Sequence, residues 1–227
     1  MTERAIPSAP HTLHFTQKHP AGFDELVRLA SAQPIAPSCD HFYFLRHGQT
    51  GRNASRIFQD VDEPLSELGM QQAAKAAQRL AGEPIRTIVC SDARRAFDTA
   101  NTVATGLRLT PTARDDLRER HFGALIGTSS TNLDWACSPD GGETLAQFVD
   151  RKRAALTVAL DVTPAPVLVV AHGGTLYVLA ALLGVTIEPD VLGNAQPLRF
   201  QRVAQLGKTT WRIEPLLART NDAAALA

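Results

Sequence analysis

The stretch His41-Phe42-Tyr43-Phe44-Leu45-Arg46-His47-Gly48-Gln49-Thr50 carries more information than any other part of this sequence. Its apolar first half predicts a buried β-strand, and an arginine and a histidine follow where that strand should end. A second apolar run, Val167-Leu168-Val169-Val170-Ala171, leads in the same way into His172-Gly173-Gly174-Thr175. Ligands of open α/β sheets bind beyond the carboxyl ends of the strands. The sequence therefore predicts histidines and arginines suited to phosphate at that edge of a sheet.

Strand and helix signals alternate along the rest of the chain. A third apolar, β-branched segment, Ile85–Cys90, predicts another strand. The predicted helices are Glu67–Ala81, Ala93–Gly106 with Ser91 or Asp92 as its N-cap, Glu143–Leu160 and Thr175–Leu183. A hairpin is expected where Pro197–Val203 and Thr209–Ile213 flank Gly207-Lys208. The alternation predicts an α/β protein, a three-layer α/β/α sandwich with a mostly parallel central sheet and a C-terminal hairpin.

The two ends of the chain differ from the segment between them. Prolines punctuate residues 1–38, where only Phe23–Ala32 predicts a short amphipathic helix, so we expect an N-terminal extension. Residues 219–227 predict a frayed C-terminal tail. With 227 residues, of which 44% are hydrophobic, the chain can bury a substantial core. One domain over residues 39–218 is the expected organisation.

The charge balance limits the partners of the protein. Lys plus Arg and Asp plus Glu number 23 each, which gives no broad field to attract nucleic acid or an anionic membrane. Several arginines nevertheless lie in or beside the histidine segments, a pattern that favours a small phosphorylated ligand. The cysteines are odd in number and lack zinc-ligand spacing, and no signal peptide is evident. We expect a soluble cytoplasmic protein and leave a homodimer open.

Metal-free phosphoryl transfer needs three kinds of side chain, and the sequence offers candidates for each. Arginine binds two phosphoryl oxygens at once and keeps its charge, which suits Arg46 and Arg95. Neutral imidazole is a nucleophile, and cationic neighbours should lower the pKa of His47 and keep it neutral. His172 precedes a predicted helix N-terminus, and Glu119 is a carboxylate flanked by cations. Alone, each of these residues has a structural or solvated explanation; their joint occurrence at element junctions favours a site.

The same segments resemble the histidine phosphatase superfamily, the phosphoglycerate-mutase-like fold. Leu45–Thr50 with Asn53 is similar to its signature, and the other segments follow in the expected order. Asp62–Gly69 with Gln72-Ala73 resembles P-L-T-x-x-G-x-x-Q-A, and Ser91–Ala100 resembles S-P-L-x-R-A-x-x-T-A. Leu117–Gly123 resembles L-x-E-x-x-x-G, Gly141–Thr144 resembles G-G-E-[ST], Ala171–Thr175 resembles S-H-G-G, and Asn194 stands where the family often has asparagine. One departure is Asp92-Ala93, which replaces the usual Pro-Leu.

The resemblance implies a role for each of these residues. His47 would be the phosphorylated nucleophile, and Arg46, Arg95 and His172 would bind the phosphoryl oxygens with Asn53 in support. Glu119 would give a proton to the leaving group and then act as base for the attacking water; His47, Glu119 and His172 thus form the implied catalytic set. The family's site needs no metal and no cofactor.

Three functions are compatible with these residues. The resemblance favours a phosphatase that hydrolyses phosphomonoesters through a phosphohistidine. A phosphoglycerate mutase is the alternative, because Glu119–Gly123 also resembles the mutases. Mutases, however, usually carry a tyrosine in place of Phe122 and a longer basic insertion, whereas Ala124–Asp140 contains no Lys or Arg. A non-catalytic module that binds a phosphorylated ligand is the third, which an intact His47 and Glu119 disfavour.

Overall fold

The structure is a computed structural model, and it describes residues 20–162, 164–187, 189–205 and 208–217. The strands are β1 His41–Arg46, β2 Thr87–Ser91, β3 Thr112–Arg114, β4 Val167–Ala171, β5 Pro197–Gln205 and β6 Lys208–Pro215. The helices are α1 Phe23–Ser31, α2 Gly51–Ala54, α3 Glu67–Leu80, α4 Arg94–Leu107, α5 Leu145–Leu160 and α6 Gly173–Leu183. Short 3-10 turns occupy Asp115–Leu117, Gly123–Leu125 and Pro189–Leu192. Gly207 of the predicted hairpin turn and the predicted C-terminal tail, residues 219–227, lie outside these ranges.

The strands form one sheet in the order β3-β2-β4-β1-β5-β6. Strands β1, β2, β3 and β4 run parallel, while β5 is antiparallel to both β1 and β6. The predicted class, with its mostly parallel sheet and C-terminal hairpin, is confirmed. In the register of β1 and β4, Arg46 lies opposite Ala171. The next residue of each strand is a histidine, so His47 and His172 leave the sheet side by side.

Side chains alternate between the two faces of the sheet, and each face has its own apolar core. Phe42 and Phe44 of β1 join a cluster formed with α1, α5 and α6. Tyr43 and Leu45 join a second cluster, with α3 and α4 on the opposite face. All four of these side chains are fully buried. Because each such side chain stabilises the fold by about 1.5–3 kcal/mol when buried, both helical layers are firmly attached to the strands that end at the histidines.

Helix α1 lies within the predicted N-terminal extension and packs into the first of these cores. Phe23, Leu26 and Ala30 are buried, and the Phe23 ring meets Tyr177 of α6 edge-on at 5.0 Å. The predicted helix over Phe23–Ala32 is therefore present. The predicted proline-punctuated residues 1–19 lie outside the described part of the chain, and the domain boundaries stay a prediction.

The starts of three helices differ from the prediction: α5 begins at Leu145 rather than at Glu143, and the other two differences concern the site. Helix α4 begins at Arg94 with Ala93 as its N-cap, so the prediction of a Ser91 or Asp92 cap was wrong. Ser91 ends β2 instead, where its buried hydroxyl accepts a 3.2 Å hydrogen bond from the Ala93 amide. Helix α6 begins at Gly173, two residues before the predicted start, and His172 is its N-cap. In the described ranges, no helix is long and apolar enough to cross a membrane.

A close backbone contact with α3 fixes the turn that follows β1. A Cβ atom at Gly69 would lie 2.0 Å from the Gln49 carbonyl oxygen, and one at Gly48 would lie 2.4 Å from the Gly69 carbonyl oxygen. The Gln49 amide also donates to Oε1 of Gln72 at 2.9 Å. The first turn of α3 and the turn after β1 are thus in contact through backbone atoms, so neither can move without displacing the other. This contact explains why a glycine and a glutamine stand three residues apart on α3.

Replacing Gly69 with alanine should destabilise the protein because the new methyl group overlaps the Gln49 carbonyl. Overpacking of this kind costs about 1–3 kcal/mol. We expect the free energy of unfolding of Gly69→Ala, measured by urea denaturation, to fall by that amount. The matched control is Gly106→Ala in α4, where an added Cβ meets nothing within 4 Å. That variant should be stabilised by about 0.5–1 kcal/mol through helix propensity; equal effects of the two substitutions would refute the contact.

Candidate active site

His47 is held by contacts on its backbone and on one ring nitrogen. Its backbone amide donates to the Ala171 carbonyl at 2.9 Å, and its carbonyl accepts from Nδ2 of Asn194 at 2.9 Å. Its ring Nδ1 lies 2.7 Å from the Gly48 carbonyl oxygen. Because a carbonyl can only accept, Nδ1 carries the ring proton in this contact. The lone pair of the neutral ring is therefore on Nε2, the atom free to act as a nucleophile.

The surroundings of His47 favour its neutral form. Only 3% of the residue is exposed. Burial lowers the pKa of His47 well below its ordinary value, and the positive charges of Arg95 and Arg46 lower it further. The direction of the pKa shift expected from the arginines is confirmed, but burial is the larger cause. The ring is thus uncharged near neutral pH.

His172 lies against His47 and is oriented by Ser91. The two rings are 5.2 Å apart between centroids, and His172 is fully buried. Its Nε2 is 3.0 Å from Oγ of Ser91. That hydroxyl already accepts from the Ala93 amide, so its own proton is available to Nε2. In this arrangement Nδ1 of His172 carries the ring proton, and burial together with Arg95 keeps the pKa of the ring well below its usual range.

Two guanidinium groups flank the histidines, and each donates a hydrogen bond to a backbone carbonyl. Nη1 of Arg46 donates to the Leu192 carbonyl at 2.7 Å, and Nη1 of Arg95 donates to the Asp60 carbonyl at 2.7 Å. Among the described residues, the Nε atoms of both arginines and Nδ1 of His172 are buried without a hydrogen-bond partner. An unsatisfied buried polar group costs about 1–3 kcal/mol. A phosphoryl group supplies several acceptor oxygens, and these donors fit it.

Glu119 lies at the N-terminus of α6. Its Oε2 accepts from the Gly174 amide at 2.9 Å, and its Oε1 accepts from the Arg120 amide at 3.0 Å. A Cβ atom at Gly174 would lie 2.3 Å from Oε1, so this approach requires glycine. The positive end of the helix dipole also favours a negative charge at this position. The carboxylate is thus placed at the same helix terminus that carries His172.

A buried lysine and a neighbouring arginine hold the segment that carries Glu119. Lys152 is fully buried, and its Nζ donates to the carbonyls of Asp116 and Arg118. Arg151 donates to the same two carbonyls and, through Nη2, to the Glu119 carbonyl at 3.2 Å. Burial lowers the pKa of Lys152 well below its usual value. Sequence reasoning missed this clamp, although Lys152 follows the buried Phe148 by four residues, a spacing that places both on one helix face.

The remaining candidate residues differ in how closely they join this cluster. Asn53 lies half-buried in α2, and no hydrogen bond in the described ranges joins its side chain to the histidines or arginines. The unusual Asp92 forms a bidentate pair with Arg118, at 2.7 and 2.5 Å. The structure thus brings together His47, His172, Arg46, Arg95 and Glu119, while the supporting role of Asn53 stays a prediction. Within the described residues, no group of three or more His, Cys, Asp or Glu side chains is placed to hold a metal ion.

Comparisons with known proteins place this arrangement in a family. Residues 42–195 match the histidine phosphatase superfamily (branch 1). Glucosyl-3-phosphoglycerate phosphatase of Mycolicibacterium vanbaalenii is 40% identical over 176 residues, which cover 66% of this chain and 77% of that protein. A Yersinia pestis protein named "Probable phosphoglycerate mutase GpmB" is 34% identical, with 78% of this chain and 87% of that protein covered.

A solved structure has the same fold. The mycobacterial glucosyl-3-phosphoglycerate phosphatase in complex with VO3 has a TM-score of 0.64 and 30% sequence identity with this chain. The match covers 78% of this chain and 98% of that one. The likeness therefore extends over more than three quarters of this chain.

The buried neutral histidines predict how stability depends on pH. In the unfolded chain their pKa is about 6.5. Because the folded protein holds the pKa of His47 and His172 well below that value, only the unfolded state takes up protons as the pH falls through it. We expect the free energy of unfolding, measured with urea in phosphate-free buffer, to decrease from about pH 7 to about pH 5, by up to about 1.4 kcal/mol per pH unit for each histidine.

Substitutions of single histidines should show that the buried histidines of the site cause this dependence of the free energy of unfolding on pH. His172→Gln removes one buried histidine and should make the dependence on pH shallower. His121→Gln, which changes an exposed histidine, is the control and should leave the slope as in the wild type. A wild-type stability that is constant over this range would contradict the burial of two neutral rings.

Proposed function

This chain belongs to the histidine phosphatase superfamily, and we propose that it hydrolyses phosphomonoesters through a phosphohistidine formed at His47. One observation carries the proposal: the neutral ring of His47 has its lone pair on Nε2, and the site around that ring contains three buried donors that lack partners among the described residues, Nε of Arg46, Nε of Arg95 and Nδ1 of His172. A nucleophile surrounded by donors of this kind suits an electrophile that carries several oxygens.

In the proposed first step, Nε2 of His47 attacks phosphorus and the bond from phosphorus to the leaving oxygen breaks. The guanidinium groups of Arg46 and Arg95 and Nδ1–H of His172 bind the non-bridging oxygens, where charge changes during transfer. These groups are already in place and buried, so little reorganisation is needed. The orientation of His172 by Ser91 keeps its proton on the nitrogen that faces no acceptor in the protein.

Glu119 is proposed to move the proton in both steps. In the first step its protonated carboxyl gives a proton to the leaving oxygen, which departs as an alcohol. In the second, the carboxylate takes a proton from the water that attacks phosphorus, the bond to Nε2 breaks, and inorganic phosphate is released.

The proposed substrate is a phosphorylated small molecule, and the proposed location is the cytoplasm. The relatives named as phosphatases act, by their names, on glucosyl-3-phosphoglycerate, a phosphorylated small molecule. The neutral overall charge of this chain gives no broad field to attract a larger polyanion. Metal-independent hydrolysis is part of the proposal because the residues named above supply each required group.

Mutase activity is the second candidate, supported by the Yersinia pestis relative. A mutase must retain a second acidic substrate beside the phosphohistidine, which calls for free cations near Glu119. Arg118 is paired with Asp92, and Arg120 is buried with its guanidinium on backbone carbonyls. These contacts favour the phosphatase. Interconversion of 2- and 3-phosphoglycerate at a rate above that of phosphate release would establish the mutase instead.

The phosphohistidine can be trapped. Brief incubation with a labelled phosphomonoester should give protein-bound phosphate that is stable in base and lost in acid, as expected of a phosphorus–nitrogen bond. His47→Ala should carry no label, whereas His41→Ala, which changes a histidine at the opposite end of β1, should be labelled as the wild type is. Label that persists in His47→Ala, or that survives acid, would exclude His47 as the nucleophile.

Glu119→Gln should affect substrates according to their leaving groups. General acid catalysis typically supplies about 100- to 10,000-fold, and it matters most where the leaving oxygen is strongly basic. We expect kcat/KM for an alkyl phosphate to fall by that factor and kcat/KM for p-nitrophenyl phosphate to fall much less. A urea denaturation curve of the variant provides the control for folding. Equal losses on both substrates would remove Glu119 from this role.

A further inference from the structure

A cavity of about 540 Å³ opens beside Arg95 and Glu119. Its volume lies within the range of small-molecule sites, about 300–1,000 Å³. Because Arg95 is proposed to hold the phosphoryl group and Glu119 to protonate the leaving oxygen, the rest of the cavity lies where the leaving group must extend. The chemistry of its lining therefore bears on which leaving groups it accepts.

The arginines that line the cavity are already engaged. Arg118 forms its bidentate pair with Asp92, and Arg151 contacts both carboxylate oxygens of Glu143 at 2.6 Å. Arg120 is 3% exposed and donates to the carbonyls of Trp135, Cys137 and Glu143. Apart from Arg95, the described lining thus contains no arginine or lysine free to bind a second anionic group.

Two carboxylates in the lining are not engaged in this way. Asp60 and Asp115 are exposed, and neither takes part in a salt bridge within the described part of the chain. Oδ1 of Asp60 accepts only from the Val61 amide, at 2.6 Å. These groups accept hydrogen bonds and repel anions.

Two glutamines in the lining present donors. Oε1 of Gln59 accepts from Oγ1 of Thr50 at 2.6 Å, and Oε1 of Gln147 accepts from the Thr144 amide at 2.8 Å. With each side-chain oxygen tied to the protein, each NH₂ group is left to donate. The cavity therefore combines fixed amide donors with carboxylate acceptors. A hydroxyl group both donates and accepts, so it can use both kinds of partner, whereas a second phosphate or carboxylate of a ligand only accepts.

We propose, resting on the proposed phosphatase activity, that this cavity binds an uncharged, hydroxyl-rich leaving group, such as a sugar or polyol bearing a single phosphate, and excludes leaving groups that carry a second anionic group. Selectivity of this kind has an attractive part, the hydrogen bonds to hydroxyls, and a repulsive part, the free carboxylates. Ile126 and Val61 add apolar surface against which the carbon skeleton of a polyol can lie.

Matched substrate pairs test the proposal. Glycerol 3-phosphate and 3-phosphoglycerate differ in one terminal group, as do sorbitol 6-phosphate and 6-phosphogluconate. We expect kcat/KM for phosphate release to be at least about tenfold higher for the neutral member of each pair. Hexyl phosphate, which lacks hydroxyls, should be at least about tenfold poorer than sorbitol 6-phosphate. Equal or better turnover of the acidic members, or of hexyl phosphate, would overturn the proposal.

A charge reversal gives a gain of function that misfolding cannot imitate. Asp115→Arg should raise kcat/KM for 3-phosphoglycerate relative to glycerol 3-phosphate by about tenfold. Asp24→Arg makes the same change in net charge at an exposed position on α1 and should leave that ratio as in the wild type. A ratio that moves equally in both variants would mean that net charge, not the cavity, sets the preference, and would overturn the assignment.

The Gln147→Glu substitution tests the NH₂ donor of Gln147 separately from the role of this residue in the capping box of α5. Gln147 closes a capping box with Thr144, and glutamate can take the same position in that motif. The substitution removes the NH₂ donor, so KM for sorbitol 6-phosphate should rise more than KM for p-nitrophenyl phosphate; equal changes would count against the proposal.

Wild-type enzyme that releases phosphate from no ester, p-nitrophenyl phosphate included, would overturn the phosphatase proposal itself and this one with it. A phosphatase that prefers acidic leaving groups would overturn this one alone.

Discussion

The parallel pairing of β1 with β4 is the constraint on which the site depends. Arg46 lies opposite Ala171, and the His47 amide donates to the Ala171 carbonyl. His47 and His172 therefore follow their strands side by side at the same edge of the sheet. A shift of one residue would turn every side chain of β1 to the other face. Because Phe42 and Phe44 belong to one core and Tyr43 and Leu45 to the other, each layer of helices opposes such a shift. The two apolar cores therefore hold the register of β1 against β4, and this register sets the distance between the rings of His47 and His172.

The site itself opposes folding. Two histidines are buried without charge, and in the described part of the chain the Nε atoms of two arginines and one ring nitrogen are buried without partners. Each unsatisfied group costs about 1–3 kcal/mol, and the two apolar cores must offset that cost before any ligand binds. In the proposed enzyme a bound phosphoryl group would supply the missing acceptors, which would couple substrate binding to local stability. Preorganised donors of this kind cost stability in the free protein and need little rearrangement during transfer.

Much of the fold could be predicted because periodic apolar segments ending in charged residues are local signals. Strand Val167–Ala171 has the predicted bounds, and Arg95 lies in the first turn of α4 as expected. What could not be predicted depends on tertiary contacts. Ser91 or Asp92 was expected as a helix cap, but the Ser91 hydroxyl meets His172, a contact between the ends of β2 and β4 that no local pattern encodes. Lys152 had a signal, since it shares the spacing of buried residues on α5, but its acceptors are carbonyls more than thirty residues earlier.

The cations near Glu119 show why counting charges in a sequence can mislead. Arg118, Arg120, Arg151 and Lys152 all lie near the segment that carries Glu119, and each has a formal positive charge. In the structure Arg118 is neutralised by Asp92 and Arg151 by Glu143. Arg120 and Lys152 donate instead to backbone carbonyls, which fixes the loop and satisfies their donors. The positive charge left to a substrate is concentrated on Arg46 and Arg95, beside His47. In the proposed enzyme, attraction for one phosphoryl group and repulsion toward a second anion would thus follow from the ion pairs and hydrogen bonds that already engage the cations around Glu119.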